Sequence, residues 1–349
     1  MSGGKIRVGI VGAGRMGITH YAIINSHPDV EVTAVAEPSS VMRLFLDKSV
    51  KAATYKDAET MFDKQALDAI LLCTPPALNH GILTAAHRKG LHAFVEKPFL
   101  LSVREGEELA ALFDGSRLVN QVGYVNRFND VFVAVKRYLQ AGLLGEILRF
   151  RSEMYSSTVV REEAGEGWRS SHANGGGATY EMASHAIDLI NFLFGPPDKV
   201  AGSRLTHVFS KNVEDVVSST FAYKSGCTGA LYVNWSDASF RKPTNKLEVF
   251  GRRGKILADQ HGLKLFLDHD DPERGFKRGW NTLYITDVFN SVPFYVRGVE
   301  FTAQLYHFIE KIKAAEDRRT MCSFADATAT LAVIDEIFRD AAVIEKEMV

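Results

Sequence analysis

A histidine lies one helical turn from a carboxylate on each side in the segment Glu181–Asp188. His185 follows Glu181 by four residues and precedes Asp188 by three, which places the three side chains on one face of a helix. The rest of this helix is apolar, and burying charge without partners is costly, so we expect the polar stripe to face a water-filled cleft. The pattern predicts that His185 is a general base whose tautomer and basicity are set by its acidic neighbours. Two other interpretations stay open, a core histidine hydrogen-bonded to Asp188 and the beginning of a zinc site; no further histidine or cysteine nearby completes a ligand set, so we expect no metal.

Lys97 is the second residue at which we expect chemistry. It lies in Glu96-Lys97-Pro98, directly after the apolar run Leu91–Val95, which has the length of a buried strand. Ligands of open α/β sheets bind outside the carboxyl ends of the strands, so the ammonium group is expected in a crevice, where it stabilises an alkoxide or moves a proton. Pro98 ends the strand and keeps Lys97 extended. The other interpretation is a solvated surface lysine.

A glycine-spaced turn near the start of the chain predicts a binding site for a diphosphate. The turn follows the apolar run Ile6–Val11 and opens an amphipathic helical stretch. Gly12 permits the tight turn, Gly14 lets the backbone approach a pyrophosphate, and Gly17 allows close packing of helix and strand. The alternative is a tight turn with no ligand. The six residues of the turn are Gly12, Ala13, Gly14, Arg15, Met16 and Gly17.

Glu37 completes the signature of a dinucleotide site. It follows the next predicted strand, Glu31–Ala36, and lies twenty residues after Gly17. A carboxylate at this position hydrogen-bonds the adenine ribose hydroxyls and repels a 2′-phosphate, so NAD is favoured over NADP. The alternative interpretation is that Glu37 is an ordinary exposed carboxylate.

The elements that must position these residues change in kind at about Gly123. Up to that residue, short apolar strands alternate with helical patterns, which predicts a doubly wound parallel sheet. Beyond it, several strands follow one another without helices, and the period-two alternation of Leu231 and Val233 indicates antiparallel pairing. We therefore predict an α/β dinucleotide-binding domain over 1–123 and an α+β domain with a large, mostly antiparallel open sheet over 124–349.

Composition limits the classes of protein to which the chain can belong. Its 349 residues include 41 lysines and arginines against 42 aspartates and glutamates, without a basic run, so we expect no nucleic-acid partner. No apolar stretch has membrane-spanning length, and Met1–Lys5 leave no room for a signal peptide. The three cysteines lie far apart without metal-ligand spacing, which is typical of a reduced, cytoplasmic protein.

Taken together, the motifs resemble those of the Gfo/Idh/MocA oxidoreductases, and the resemblance spans nearly the whole chain in the same order. Each motif is short, but the set is specific. The motifs that carry it are the Rossmann-type glycine turn, Thr74-Pro75, His80, Glu96-Lys97-Pro98, Trp168-Arg169, Gly175-Gly176-Gly177, His185, Asp188 and the turn from Val249-Phe250-Gly251 to Gly254-Lys255.

The resemblance implies roles for matching positions. Lys97 and His185 correspond to the catalytic lysine and histidine of the family, whereas the acid one turn before the histidine is usually aspartate and is Glu181 here. This departure leaves open whether Glu181 still works with His185. A cis bond before Pro98 and a homodimer or homotetramer formed through the second domain's sheet are also implied. The cofactor is expected to contact Gly12, Gly14, Arg15, Met16, Gly17, Glu37, Thr74, Pro75, His80, Glu96 and Lys97.

The expected activity is hydride transfer between NAD(H) and a carbinol or ketone carbon of a sugar, a cyclitol or a nucleotide sugar. Two alternatives stay open: a glycosidase that retains its NAD and acts by transient oxidation and elimination, and a non-catalytic NAD-binding protein. Hydroxyl-rich ligands need planar hydrogen-bonding groups and aromatic faces. The residues expected on the substrate side are Tyr124, Asn126, Arg127, Tyr155, Trp168, Arg169, His172 and Asp188.

Overall fold

The structure is a computed structural model that describes residues 4–162, 167–314 and 316–347. It divides into two compact units, the first formed by Met1–Val125 and Ser291–Thr328 and the second by Asn126–Asn290 and Ala329–Val349. In the part of the chain that is described, none of the helices combines the length and the apolar character needed to cross a bilayer.

The first unit is a parallel six-stranded sheet with helices, and its strand order is β3-β2-β1-β4-β5-β6. The predicted doubly wound sheet is thus confirmed. The order reverses between β1 and β4, so the crevice at their carboxyl ends is the binding position of this fold class. Its elements are β1 (Ile6–Val11), α1 (Arg15–Ile24), β2 (Val30–Ala36), α2 (Ser40–Ser49), β3 (Ala53–Tyr55), α3 (Ala58–Lys64), β4 (Ala69–Leu72), α4 (Asn79–Arg88), β5 (His92–Val95), α5 (Val103–Asp114) and β6 (Asn120–Val122).

A segment from the far end of the chain belongs to this first unit. Its helix Val299–Lys313 packs against α1, and the buried side chains of Leu305, Phe308 and Ile309 join the same core as Ile10. The sequence-based division assigned all of residues 124–349 to one domain. The apolar stripe of the returning helix explains its place, because it must be buried against another apolar surface.

The second unit contains an eight-stranded sheet in the order β14-β13-β12-β11-β7-β10-β9-β8. Among the described residues, neighbouring strands are antiparallel except β7 and β10, so the prediction of a mostly antiparallel sheet is confirmed. Its elements are α6 (Asp130–Gln140), β7 (Ile147–Tyr155), α7 (Ser184–Phe194), β8 (Lys199–Thr206), β9 (Val216–Ala222), β10 (Thr228–Asn234), β11 (Thr244–Gly251), β12 (Gly254–Asp259), β13 (Gly262–Leu267), β14 (Gly279–Tyr284) and α8 (Ile285–Val288). The returning helix is α9 (Val299–Lys313), and the last helix is α10 (Phe324–Glu347).

The helix that carries Glu181, His185 and Asp188 differs from the predicted regular helix in its first turn. Thr179–Ala183 form a π-helical turn, and the regular α-helix begins only at Ser184. A π turn inserts an extra residue into the hydrogen-bonding ladder, so Glu181 and His185 are not related by regular α-helical spacing. Apolar residues of the following helix, among them Ile187 and Ile190, pack in the core under the sheet.

Candidate functional site

The glycine turn has the steric properties of a phosphate cradle. Gly12 has a φ of +90°, and a Cβ on Gly17 would lie 1.9 Å from the Gly12 carbonyl oxygen. A Cβ on Gly14, in contrast, would meet nothing within 4 Å, so this side of the turn is open to a ligand. Helix α1 begins at Arg15 without a side-chain cap on Gly14. The amide groups and the helix dipole therefore fit a diphosphate.

Glu37 is anchored beside this turn. Its Oε2 accepts the Ala13 N–H at 2.9 Å and its Oε1 accepts the Ser39 N–H at 2.9 Å. The Arg43 guanidinium donates to the carbonyl oxygens of Glu37 and Pro38, each at 2.7 Å. Each carboxylate oxygen retains a second acceptor site, so the group can still receive ribose hydroxyls.

The segment after β4 forms the next wall of the crevice. The Thr74 hydroxyl donates to Asn79 Oδ1 at 2.8 Å, and the buried Asn79 amide donates to the Phe99 carbonyl oxygen at 2.8 Å. Pro75 begins a short 3₁₀ turn that leads into α4, where His80 lies 3.4 Å from the Glu108 carboxylate. These contacts fix the backbone of Thr74 and Pro75 at the carboxyl edge of the sheet.

Glu96, Lys97 and Pro98 follow β5 at the same edge, and the bond between Lys97 and Pro98 is cis. Glu96 has a partner that the sequence analysis missed: its Oε1 lies 2.6 Å from Nε2 of the fully buried His20. The sequence signal was a histidine three positions after Gly17, on the amphipathic helix that the turn opens. Lys97 is half-buried.

Two arginines add positive charge to this part of the first unit. Arg15 opens α1, and Arg297 precedes α9 in the returning segment. Burial lowers the pKa of Arg297, the charge of Arg15 lowers it further, and the charge of Glu96 opposes both effects. Arg297 therefore shares an electrostatic environment with Glu96, a relation that its position near the end of the chain did not reveal.

In the second unit, Glu181 is paired with Arg169. The guanidinium Nε and Nη2 donate to the carboxylate at 2.8 to 3.1 Å in a fork-shaped arrangement. The Arg169 guanidinium also lies 5.0 Å from the ring centroid of the half-exposed Trp168. His185 is the second residue of the regular helix α7 and is half-buried. The structure thus gives Glu181 a cationic neighbour that the sequence pattern did not indicate.

Asp188 does not face water, so the expectation of a wet polar stripe is wrong for this residue. Its carboxylate is fully buried and forms a bidentate ion pair with the Arg127 guanidinium at 2.8 to 3.1 Å. Phe192 lies beneath the guanidinium at 5.3 Å. A buried carboxylate needs such a partner, and the sequence could not show which arginine supplies it.

His172 is likewise engaged within the protein. Its Nε2 lies 3.1 Å from the buried Glu214 carboxylate, and the hydrogen bond to Glu214 raises the pKa of His172. Glu214 also accepts the backbone N–H of Thr179 at 2.7 Å, and a Cβ on Gly177 would lie 2.6 Å from its Oε1. This network holds the glycine-rich segment at the start of the helix that carries His185.

Two further predicted substrate residues, Tyr124 and Tyr155, belong to different units. Tyr155 stacks on Phe240 with ring centroids 4.6 Å apart, and burial followed by the charge of Glu153 raises its pKa to about 12. Met154 packs in the core with residues of α7. Because successive side chains of a strand point to opposite faces of the sheet, Tyr155 lies on the other face, away from His185. Tyr124, in the first unit, is buried.

The chain matches two parts of one protein family. Residues 6–124 match the domain described as an oxidoreductase family with an NAD-binding Rossmann fold, and residues 132–257 match the GFO/IDH/MocA C-terminal domain. The rhizopine catabolism protein MocA of Rhizobium meliloti is 30% identical over 206 residues, which are 58% of this chain and 62% of that protein. The chain thus aligns with less than two thirds of that relative's length.

Solved structures share the fold over nearly the whole chain. Levoglucosan dehydrogenase in complex with NADH and levoglucosan superposes with a TM-score of 0.82 at 20% identity, covering 97% of each chain. The WlbA dehydrogenase of Bordetella pertussis, in complex with NADH and UDP-GlcNAcA, gives 0.83 at 19% identity, covering 98% of this chain and 97% of that one. The two domain matches, together with the NAD-type cradle, show that the chain belongs to the Gfo/Idh/MocA family of NAD-binding oxidoreductases.

Proposed function

We propose that the protein transfers a hydride between NAD(H) and a carbinol or ketone carbon of a sugar, a cyclitol or a nucleotide sugar. The observation that carries the proposal is the position of Lys97, which follows β5 at the carboxyl edge where the glycine turn opens. The substrate class is suggested by the similar proteins, whose names include levoglucosan dehydrogenase and a dehydrogenase in complex with UDP-GlcNAcA.

The proposed roles divide proton transfer from charge stabilisation. The bound cofactor supplies the hydride acceptor. His185 takes the hydroxyl proton of the substrate, and the Lys97 ammonium donates a hydrogen bond to the oxygen on which negative charge develops. Glu181 is proposed to orient the site through Arg169, because its carboxylate is held in the fork with that guanidinium.

Trp168 and Arg169 are the substrate-side residues that we retain for the proposal. Trp168 is 46% exposed, and the Arg169 side chain is 42% exposed while Glu181 fixes its plane. A ring face beside a guanidinium suits a ligand that presents C–H groups and hydroxyls together. Asn126 is a further choice, because its buried Nδ2 has no hydrogen-bond partner among the described residues.

We further propose that the outer face of the eight-stranded sheet forms a homodimer or homotetramer contact. Large apolar side chains are exposed on neighbouring strands of this face, among them Phe250, Phe266 and Trp280. Lys255 lies between Phe250 and Phe266 in register, and Glu248 pairs with Arg151 in the next rows. The rings of Phe266 and Trp280 contact each other, with centroids 5.4 Å apart, and exposed aromatic side chains bordered by charge are typical of protein interfaces. Sedimentation of the parent and of Trp280→Glu would test this contact, with a monomeric variant expected.

The activity is tested with two conservative variants and a surface control. Lys97→Met and His185→Asn should bind NAD normally but reduce turnover on a panel of sugars, cyclitols and nucleotide sugars by about 100-fold or more. Lys89→Met removes an exposed lysine that pairs with Asp63 and should leave turnover unchanged. Full turnover in both active-site variants would exclude the assignment.

The same panel separates the proposal from a glycosidase that retains its cofactor. A dehydrogenase changes the NADH absorbance in proportion to product. Product that forms with no net change in NADH absorbance would support transient oxidation followed by elimination.

A further inference from the structure

The pair formed by His20 and Glu96 is buried in the first unit beside the cofactor crevice. His20 Nε2 and Glu96 Oε1 are 2.6 Å apart, and the imidazole is fully buried with its ring edge-on to Phe94, the centroids 5.3 Å apart. On the other side, a Cβ on Gly123 would lie 3.1 Å from Glu96 Oε1 and 3.1 Å from the Phe94 ring. The carboxylate is therefore confined between an imidazole and the backbone after β6.

The hydrogen-bonding pattern assigns the charge of this pair to the carboxylate. Nδ1 of His20 is buried and has no hydrogen-bond partner among the described residues. A protonated imidazole would leave a charged N–H unsatisfied at Nδ1, which costs more than a bare nitrogen lone pair. The neutral tautomer with its proton on Nε2 avoids this cost and donates to Glu96. Glu96 Oε2 accepts the Lys97 backbone N–H at 3.2 Å, which also suits an anion.

The strand order places this anion in the second half of the crevice. Glu37 follows β2 and lies in the half of the crevice that is formed by β1 to β3, where the adenosine is expected. Glu96 follows β5, in the half formed by β4 to β6, which is left for the nicotinamide nucleotide. The nicotinamide ring is positively charged when oxidised and neutral when reduced. The Arg297 guanidinium also interacts with this carboxylate, because the charge of Glu96 raises the pKa of Arg297 against the effects of burial and of Arg15.

We propose that His20 is a positioning residue that holds the Glu96 carboxylate as an anion in the nicotinamide half of the crevice, so that the pair favours oxidised over reduced cofactor. The pair then sets the affinity ratio of NAD⁺ to NADH, whichever substrate the protein uses. Coulomb attraction between the carboxylate and the oxidised ring is the physical cause. The reduced ring gains no such attraction.

Three variants test the proposal through binding of the free cofactors to the full chain. His20→Leu fills the volume without a donor, His20→Gln places an amide N–H near the position of Nε2, and Glu96→Gln removes the charge while keeping the shape. Titration calorimetry measures Kd for NAD⁺ and for NADH separately. We expect the preference for NAD⁺ to fall about tenfold in His20→Leu and in Glu96→Gln, and to stay within about twofold of the parent in His20→Gln.

A purely structural role for His20 predicts a different result. It would weaken NAD⁺ and NADH by the same factor, or lower the melting temperature of the free protein without changing the ratio of the two Kd values. An unchanged ratio in His20→Leu or in Glu96→Gln would overturn the proposal. If His20→Leu does not fold, His20→Asn takes its place, because its shorter amide cannot reach Glu96, and the same tenfold change is required.

Discussion

The buried ion pair between Arg127 and Asp188 should behave as one unit whose halves cannot be removed separately. Asp188→Leu leaves the Arg127 guanidinium, whose side chain is 4% exposed, without its carboxylate in an apolar core. Breaking such a pair typically costs about 3 to 5 kcal/mol, whereas replacing both partners by apolar groups is close to neutral. We therefore expect Asp188→Leu to lose about 3 to 5 kcal/mol of unfolding free energy, and Arg127→Met combined with Asp188→Leu to recover most of it.

Tryptophan fluorescence reports on the unit that contains this pair. The protein has three tryptophans, Trp168, Trp235 and Trp280, and all lie in the second unit. Trp235 is buried, so its emission changes when this unit unfolds. With a urea slope of about 2 to 3 kcal/mol per molar, the single variant should lower the midpoint by roughly 1 to 2.5 M.

A surface pair in the same unit provides the control. Lys224 contacts Asp198 at 3.2 Å with its side chain 89% exposed, so Lys224→Met should change stability by less than about 1 kcal/mol. The reasoning is refuted if Asp188→Leu costs no more than Lys224→Met, or if the double variant is less stable than the single one. A third result, Asp188→Asn with normal stability and no turnover, would instead assign this carboxylate to the substrate site.

Three further predictions concern the first unit. Gly17→Ala should abolish NAD binding in calorimetry, because its Cβ would lie 1.9 Å from the Gly12 carbonyl oxygen and the turn must open. Burial lowers the pKa of His92 and of His307 to about 4, so both stay neutral in the folded state while the unfolded chain takes up protons below about 6.5. The free energy of unfolding is therefore unaffected by these two residues above pH 6.5, and it falls by roughly 2 to 3 kcal/mol for each of them as the pH falls towards 4. Urea unfolding followed by circular dichroism should show this dependence of stability on pH. The double variant His92→Gln, His307→Gln should reduce it. Glu37→Ser should raise the affinity for NADP relative to NAD, and an unchanged ratio would show that the carboxylate does not select the cofactor.

The sequence alone determined the features that depend on local geometry. The glycine turn could be recognised because only residues without a Cβ permit its close approaches, and these approaches lie within a few residues of one another. The parallel and the antiparallel sheet could be predicted from the order of strands and helices along the chain, because the periodicity of apolar residues shows that order. The pattern is uneven among the strands: Leu263, Leu265 and Leu267 alternate with exposed residues in β13, whereas β14 contains no fully buried residue.

The sequence also indicated which residue types do chemistry, but it did not give their partners. His20 and Glu96 are 76 positions apart, and Arg127 and Asp188 are 61 positions apart. The periodicity of apolar and polar residues describes one helix or strand at a time. It placed Asp188 on one face of a helix but could not show which residue of another element would contact that face. The same limit hid the role of Arg169 beside Glu181.

Tertiary structure decided two further points that no local pattern contained. The first residue of the π turn, Thr179, donates its backbone N–H to the buried Glu214 carboxylate, a contact across 35 residues. Helix α9 joins the sheet of the first unit because its apolar stripe fits that core. Burial is the physical reason in each case. A charged or apolar side chain that is removed from water needs a partner, and the element that packs against it supplies that partner even when it is distant in sequence.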